Sequence, residues 1–75
     1  MQFIEMSGKT LQRIVRDDEL HPDELAKLGV NDESVVRINR QGDIELRGVD
    51  RWDIIGGLLG EFEHRIITET GLEWV

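Results

Sequence analysis

The sequence predicts an α+β fold, with a single domain over residues 1–75, elements in the order ββαββα, and an antiparallel sheet packed by a long C-terminal amphipathic helix. Two observations lead to this prediction. Apolar residues recur at spacings of three and four between residues 50 and 71, which is typical of a helix with one buried face. Shorter apolar runs, bounded by glycines, are typical of strands.

The longest predicted element is a helix from Asp50 to Gly71. Asp50 is a good N-cap, because its carboxylate accepts from the free amides of the first turn, and Gly71 suits a left-handed C-cap. Gly56, Gly57 and Gly60 oppose the helix, since each costs about 0.8–1 kcal/mol relative to Ala. A break at Gly56-Gly57 therefore stays open as the alternative. The apolar face comprises Trp52, Ile55, Leu59, Phe62 and Ile66, widened by Ile54 and Leu58.

The start of the chain allows two structures. Residues 2–6 predict a strand, and Ser7-Gly8 is a turn dipeptide. Residues 9–16 then return as the second strand of a hairpin, or form a helix that Ser7 caps. The apolar spacing around Leu11 fits both structures, and we favour the hairpin.

A short helix of about two turns is predicted to begin at Pro22, because proline suits the first helical position. Leu25 and Leu28 are expected to face inward. Gly29 is expected to end the helix in the left-handed conformation, with Val30 making the accompanying apolar contact. His21, which precedes the proline, is the expected N-cap.

The clearest hairpin joins residues 35–39 to residues 43–48. A three-residue loop, 40–42, ends on Gly42, which supplies the left-handed residue of the bulge. This loop length aligns the apolar residues on one face, whereas a two-residue loop mixes the two faces. The predicted register places Ile38 opposite Ile44, Val36 opposite Leu46, and Arg37 opposite Glu45 on the outer face.

The run PDELAKLGVNDESVVRINRQGDIELR, residues 22–47, resembles the second half of AbrB/MazE-type swapped-hairpin domains. That pattern has a proline, a short helix containing Glu-Leu and ending in Leu-Gly, and then a hairpin that ends in basic residues. The resemblance implies an intertwined homodimer. It also implies DNA binding or antitoxin action, which are the activities of that family.

Composition and charge narrow the classes of function. The formal net charge is −7, which disfavours binding to nucleic acid or to an anionic membrane surface. No apolar run is long enough to span a bilayer, and no secretory leader opens the chain, so a cytoplasmic location is the default expectation. Acidic residues concentrate in residues 17–34, which predicts either a solvated face or a docking face for a basic partner.

Residues that carry catalysis are scarce, and the sequence predicts a protein that is not an enzyme and holds no cofactor. The chain has no cysteine and only two histidines, and no paired buried carboxylates are visible. Gly8-Lys9-Thr10 ends like a phosphate-binding P-loop, but the chain is too short for a nucleotide-binding domain. Glu61 and His64 have the Glu-x-x-His spacing of metal-binding helices, so a small metal-binding protein is one alternative.

The leading functional prediction is a non-enzymatic protein-interaction module, a homodimeric adaptor or a subunit of a larger assembly. A core of this size is marginal, and a dimer extends it. The predicted dimer places the 50–71 helix at or near the twofold axis, with the sheet behind it, and Gly56 and Gly60 leave a smooth strip on that helix. The AbrB/MazE-like regulator is the second hypothesis. The predicted interface residues are Trp52, Gly56, Leu59, Gly60 and Trp74, and Trp74 either folds back onto the domain or contacts a partner.

Overall fold

The computed structural model describes residues 2–75 as one antiparallel four-stranded sheet with helices packed on one face. The predicted α+β class and antiparallel sheet are confirmed, but the order is βααβββα and not ββαββα. The strands lie in the order β1-β2-β3-β4, so β1 and β4 are the two edges. The elements are β1 (Phe3–Ser7), α1 (Gly8–Ile14), α2 (Pro22–Lys27), β2 (Val35–Asn39), β3 (Asp43–Arg47), β4 (Trp52–Gly57) and α3 (Glu63–Thr70).

Residues 9–14 belong to α1 and the helix ends before Val15, so the favoured N-terminal hairpin is wrong and the alternative helix is correct. Ser7 caps α1: its hydroxyl oxygen accepts from the Thr10 N–H at 3.2 Å. Leu11 and Ile14, three positions apart, are both fully buried against the sheet. The helix is preferred because β1 pairs with β2, which leaves the following segment free to cover the sheet.

The short helix α2 has the predicted ends. His21 Nδ1 accepts from the Asp23 N–H at 3.1 Å, so His21 is the N-cap. Gly29 adopts a positive φ of 82°, and the Val30 N–H donates to the Leu25 carbonyl at 2.9 Å, which is the long hydrogen bond of a Schellman motif. Leu25 is buried, but Leu28 is exposed, so the prediction that both face inward is half wrong.

The β2–β3 hairpin has the predicted register. Ile38 lies opposite Ile44, Val36 opposite Leu46, and Arg37 opposite Glu45. The loop residue Gly42 has a φ of 91°, in the left-handed region that a side chain disfavours. A Cβ atom at Gly42 would also lie 2.9 Å from the ring of Phe62, so two independent constraints require glycine there.

The predicted helix from residue 50 to residue 71 is wrong. Trp52 to Gly57 form strand β4 beside β3, and the C-terminal helix α3 begins only at Glu63 and has eight residues. The glycine penalty opposes a helix here, and a strand gains hydrogen bonds from the free edge of β3. The predicted stop is confirmed: Gly71 is left-handed, with φ 71°.

One hydrophobic core lies between the sheet and the helices, and the C-terminal tail closes one end of it. The Trp74 indole N–H donates to the Ile38 carbonyl at 3.0 Å, and its ring meets the Phe62 ring edge-to-face at 6.0 Å. Trp74 therefore folds back onto the domain, one of the two predicted outcomes. The core comprises Ile4, Met6, Leu11, Ile14, Leu20, Leu25, Val30, Val36, Ile38, Ile44, Leu58 and Ile66.

Candidate functional site

The two faces of the sheet differ in what covers them. Side chains alternate between the faces along each strand, and the buried positions of β1, β2 and β3 all point towards the helices. The alternate positions form the other surface, which we call the open face. It includes Phe3 and Glu5 of β1, Arg37 of β2, Glu45 of β3, and Trp52 and Ile54 of β4.

Arg37 is the centre of the open face. Its guanidinium carbon lies 3.7 Å from the centre of the Phe3 ring and 4.1 Å from the centre of the Trp52 ring, so rings from both edge strands cover the cation. Arg37 also donates to Glu45, from Nε at 2.9 Å and from the terminal nitrogen at 2.8 Å. The ring stacking and the ion pair together fix the Arg37 side chain, because they use both the faces and the edge of the guanidinium.

Ile54 gives the open face an apolar area that water reaches. The register places Glu5, Arg37, Glu45 and Ile54 in one row across the four strands. Ile54 is 70% exposed, whereas the Arg37 and Glu45 side chains are only 24% and 13% exposed. The open face is therefore an ordered surface of aromatic and charged side chains, with one exposed apolar residue at its side.

The predicted interface residues do not lie on one surface. Trp52 belongs to the open face, whereas Gly56 faces the core side, where a Cβ atom would meet Leu20 at 3.5 Å. Leu59 and Gly60 lie in the exposed loop after β4, and Trp74 packs against Phe62 at the end of the core. The smooth helical strip of Gly56 and Gly60 does not exist, because the two residues are not on a helix.

Glu61 and His64 do not share a helical face. Glu61 lies in the loop that precedes α3, and His64 lies in the first turn of α3. Both line a shallow surface pocket beside Phe62 and Ile67. Within residues 2–75, no group of three or more His, Asp or Glu side chains is arranged to hold a metal ion. The Glu-x-x-His spacing predicted a metal site only if both residues lay on one helix, and Glu61 lies outside α3.

The backbone of the P-loop-like sequence Gly8-Lys9-Thr10 forms hydrogen bonds within the fold. The Gly8 N–H donates to the Ser34 carbonyl at 2.8 Å, and the Lys9 N–H donates to the Asp32 carbonyl at 3.2 Å. A P-loop binds phosphate through backbone N–H groups that are free to donate. Here these N–H groups already donate to backbone carbonyls. Gly8 is required for another reason: a Cβ atom there would lie 1.9 Å from the Asn31 carbonyl oxygen.

One carboxylate has a strongly shifted pKa, and its position is structural. Hydrogen bonds from the Arg65 guanidinium, helped by the Leu59 and Arg16 N–H groups and opposed by burial, lower the pKa of Glu19 from 4.5 to about 2. The same pairing raises the pKa of Arg65. Glu19 accepts from Arg65 at 2.7 and 2.9 Å, and its side chain is 1% exposed. A substrate has no access to this carboxylate. The shifted pKa of Glu19 therefore reflects a structural ion pair between separate segments of the chain.

The sequence reasoning found Trp52 but missed its neighbours Phe3 and Arg37. The hairpin register did signal that Arg37 and Glu45 face away from the core. The contact with Phe3 and Trp52 depends on the order of the strands, because these residues come from both edges of the sheet.

The fold and the open face define a small α+β domain with one uncovered sheet surface. Comparison of the chain with protein-family models, curated proteins and solved structures finds no match. No helix in the described part of the chain is long and apolar enough to cross a membrane.

Proposed function

We propose that this chain is a non-enzymatic protein-interaction module, a homodimeric adaptor or a subunit of a larger assembly, and that its contact surface is the open face. One observation carries the proposal: Ile54 is 70% exposed on a sheet surface beside Trp52 and the covered Arg37. Apolar and aromatic residues with a paired arginine are enriched at the centres of protein interfaces. The acidic net charge of −7 favours a protein partner over a nucleic acid.

A matched pair of variants tests this proposal by affinity capture from the native cell, with quantitative mass spectrometry. Ile54→Lys places a charge on the open face and has little effect on stability, because Ile54 is already exposed. Leu72→Lys makes the same change at another exposed apolar residue, on the C-terminal tail. We expect wild type and Leu72→Lys to capture the same proteins, and Ile54→Lys to lose at least one of them. If Ile54→Lys captures the full set, the open face is not the contact surface.

The AbrB/MazE-like regulator stays a second proposal, which the resemblance of the sequence of residues 22–47 supports. A DNA-binding regulator needs a positive surface, whereas residues 17–34 carry seven acidic residues and a single lysine. A mobility-shift titration with duplex DNA separates the two proposals. We expect no shift at physiological salt, and a shift that weakens steeply with added salt would favour the regulator.

A further inference from the structure

β4 is an edge strand, so among residues 2–75 no strand pairs with the backbone groups on its outer side. The Gly48 N–H donates to the Arg51 carbonyl at 2.7 Å and closes the β3–β4 turn. Along an antiparallel strand, the backbone N–H and C=O groups of one residue point towards the neighbouring strand and form hydrogen bonds with it. Those of the next residue point to the opposite side. The register therefore directs the backbone groups of Arg51 and Asp53 towards β3, and those of Trp52 and Ile54 towards the open edge.

The regular part of this edge is short and has a defined centre. The β3–β4 turn ends at Arg51, and an irregularity in the register between Ile44 and Glu45 interrupts the ladder after Ile54. Trp52 to Ile54 therefore form the regular segment, and Asp53 is its middle residue. A symmetric pairing that uses the whole segment has its twofold axis at Asp53.

We infer that two copies of this chain pair antiparallel through their β4 edges, with the twofold axis at Asp53. The inference rests on the proposed interaction function and names a second copy as one partner. In this register Trp52 of each copy lies opposite Ile54 of the other, and each pair exchanges backbone hydrogen bonds. The two four-stranded sheets become one continuous sheet, and the two open faces become one surface.

The charges next to the axis are self-complementary. Arg51 and Asp53 lie on the same side of β4, and the Arg51 Nε lies 3.1 Å from an Asp53 carboxylate oxygen. At the axis the two Asp53 carboxylates face each other, and each Arg51 lies diagonally across from Asp53 of the second copy. The four charges sum to zero, so each arginine offsets the repulsion between the two carboxylates. The interface is nevertheless small and each copy is acidic, so the dimer is weak and depends on concentration.

Disulfide trapping tests the register directly, because the chain contains no cysteine. In the proposed register the two Asp53 residues form a pair without backbone hydrogen bonds between them. The Cα atoms of such a pair are about 4.5 Å apart, within the range of about 4.4–6.8 Å that a disulfide needs. Asp53→Cys therefore places two thiols in bonding position. Ile54→Cys is the matched control: Ile54 is more exposed than Asp53, at 70% against 52%, but in this register it faces Trp52 of the second copy and not its own equivalent. Val49→Cys, in the exposed turn, measures random collision.

The three variants are oxidised at equal concentration in a glutathione buffer, and disulfide dimer is measured on a non-reducing gel. We expect roughly tenfold more dimer from Asp53→Cys than from either control, because pairing raises the effective concentration of the two thiols. Equal yields, or a higher yield from a control, overturn the inference. Sedimentation of the cysteine-free protein from micromolar to millimolar concentration is the second measurement, and it must show association that Ile54→Lys abolishes.

Failure of this inference is distinct from failure of the proposed function. If trapping and sedimentation show a monomer while Ile54→Lys still loses a captured protein, self-pairing is wrong and the open face remains a contact surface for a different protein. If trapping succeeds and the second copy of this chain is the only captured protein that Ile54→Lys loses, the edge pairs copies of the chain while the open face lacks a different protein partner.

Discussion

Replacing Glu19 by Gln should destabilise the protein at neutral pH and remove part of its sensitivity to acid. The Glu19 carboxylate joins three separate segments: it accepts from the Arg16 N–H at 2.8 Å, from the Leu59 N–H at 2.7 Å, and from the Arg65 guanidinium. Glutamine keeps the shape but has one acceptor oxygen instead of two. Its NH₂ group must then face a backbone N–H or the guanidinium, which are both donors.

The pKa of Glu19 sets the magnitude of this effect. Its folded pKa, about 2, lies below the ordinary value of 4.5. A depressed pKa means that the carboxylate stabilises the fold above the unfolded pKa, and that this stabilisation is lost as the pH falls from about 4.5 to about 2. At about 1.4 kcal/mol per pH unit, the full difference corresponds to roughly 3 kcal/mol. Arg65 is 17% exposed, so solvent screens part of this energy, and we expect roughly 2–3 kcal/mol.

Urea denaturation followed by tryptophan fluorescence measures this difference at several pH values. The free energy of unfolding of wild type should exceed that of Glu19→Gln at pH 7, and the difference should shrink towards zero as the pH falls through the window above. The other carboxylates cancel in the difference, because both proteins contain them. Asp53→Asn, which breaks the exposed pair with Arg51, is the control and should cost at most about 1 kcal/mol. A Glu19→Gln protein as stable as wild type at pH 7 would refute the reasoning.

Three further substitutions test the packing. Gly42→Val should lower the free energy of unfolding by more than about 1 kcal/mol, because valine disfavours positive φ and meets the Phe62 ring; a thermal melt unchanged from wild type would contradict the loop geometry. Gly8→Ala should cost about 2 kcal/mol or more in urea denaturation, since its Cβ meets a backbone oxygen that cannot move away, and a neutral result would exclude that close approach. Trp74→Phe should keep the ring contact with Phe62 but lose the hydrogen bond to the Ile38 carbonyl, at a cost of about 1 kcal/mol, whereas a stability equal to wild type would show that this bond contributes nothing.

Gly29→Ala is the matched control for the two glycine variants. Gly29 has a positive φ of 82°, and no atom lies within 4 Å of the position that a Cβ would occupy. This variant therefore carries the backbone strain without a steric clash. Gly29→Ala should be less destabilising than Gly42→Val, which has both the backbone strain and the steric clash. The loss of unfolding free energy in Gly29→Ala therefore measures the strain without the clash.

The parts of the fold that local chemistry determines were predictable from the sequence. The β2–β3 hairpin was predicted with its register, because the loop needs a left-handed residue and only one loop length aligns the apolar residues. The two ends of α2 were predicted for the same reason: His21 and Gly29 satisfy backbone groups a few residues away. In these segments the structure depends on neighbours in sequence.

The segment from residue 50 to residue 71 could not be assigned from its spacing alone. Apolar spacing there fits a helix, but Trp52 to Gly57 pair with β3, a partner that the periodicity does not reveal. The three glycines were the better signal, because their combined helix penalty of roughly 3 kcal/mol is large for a small domain. The open face could not be predicted from the sequence for a related reason. Phe3 and Trp52 are far apart in the chain and contact Arg37 only once the sheet has formed.

The position of β1 in the sheet has a consequence for the order in which the protein folds. Strands β2, β3 and β4 form a meander whose members are joined by short turns, whereas β1 reaches β2 only after the whole of α1 and α2 has intervened. Closing that long loop costs chain entropy before any contact offsets it, so the meander should form in the folding transition state and β1 should dock later. Truncating Ile4 should therefore accelerate unfolding and leave the folding rate nearly unchanged, whereas truncating Ile44 should slow folding.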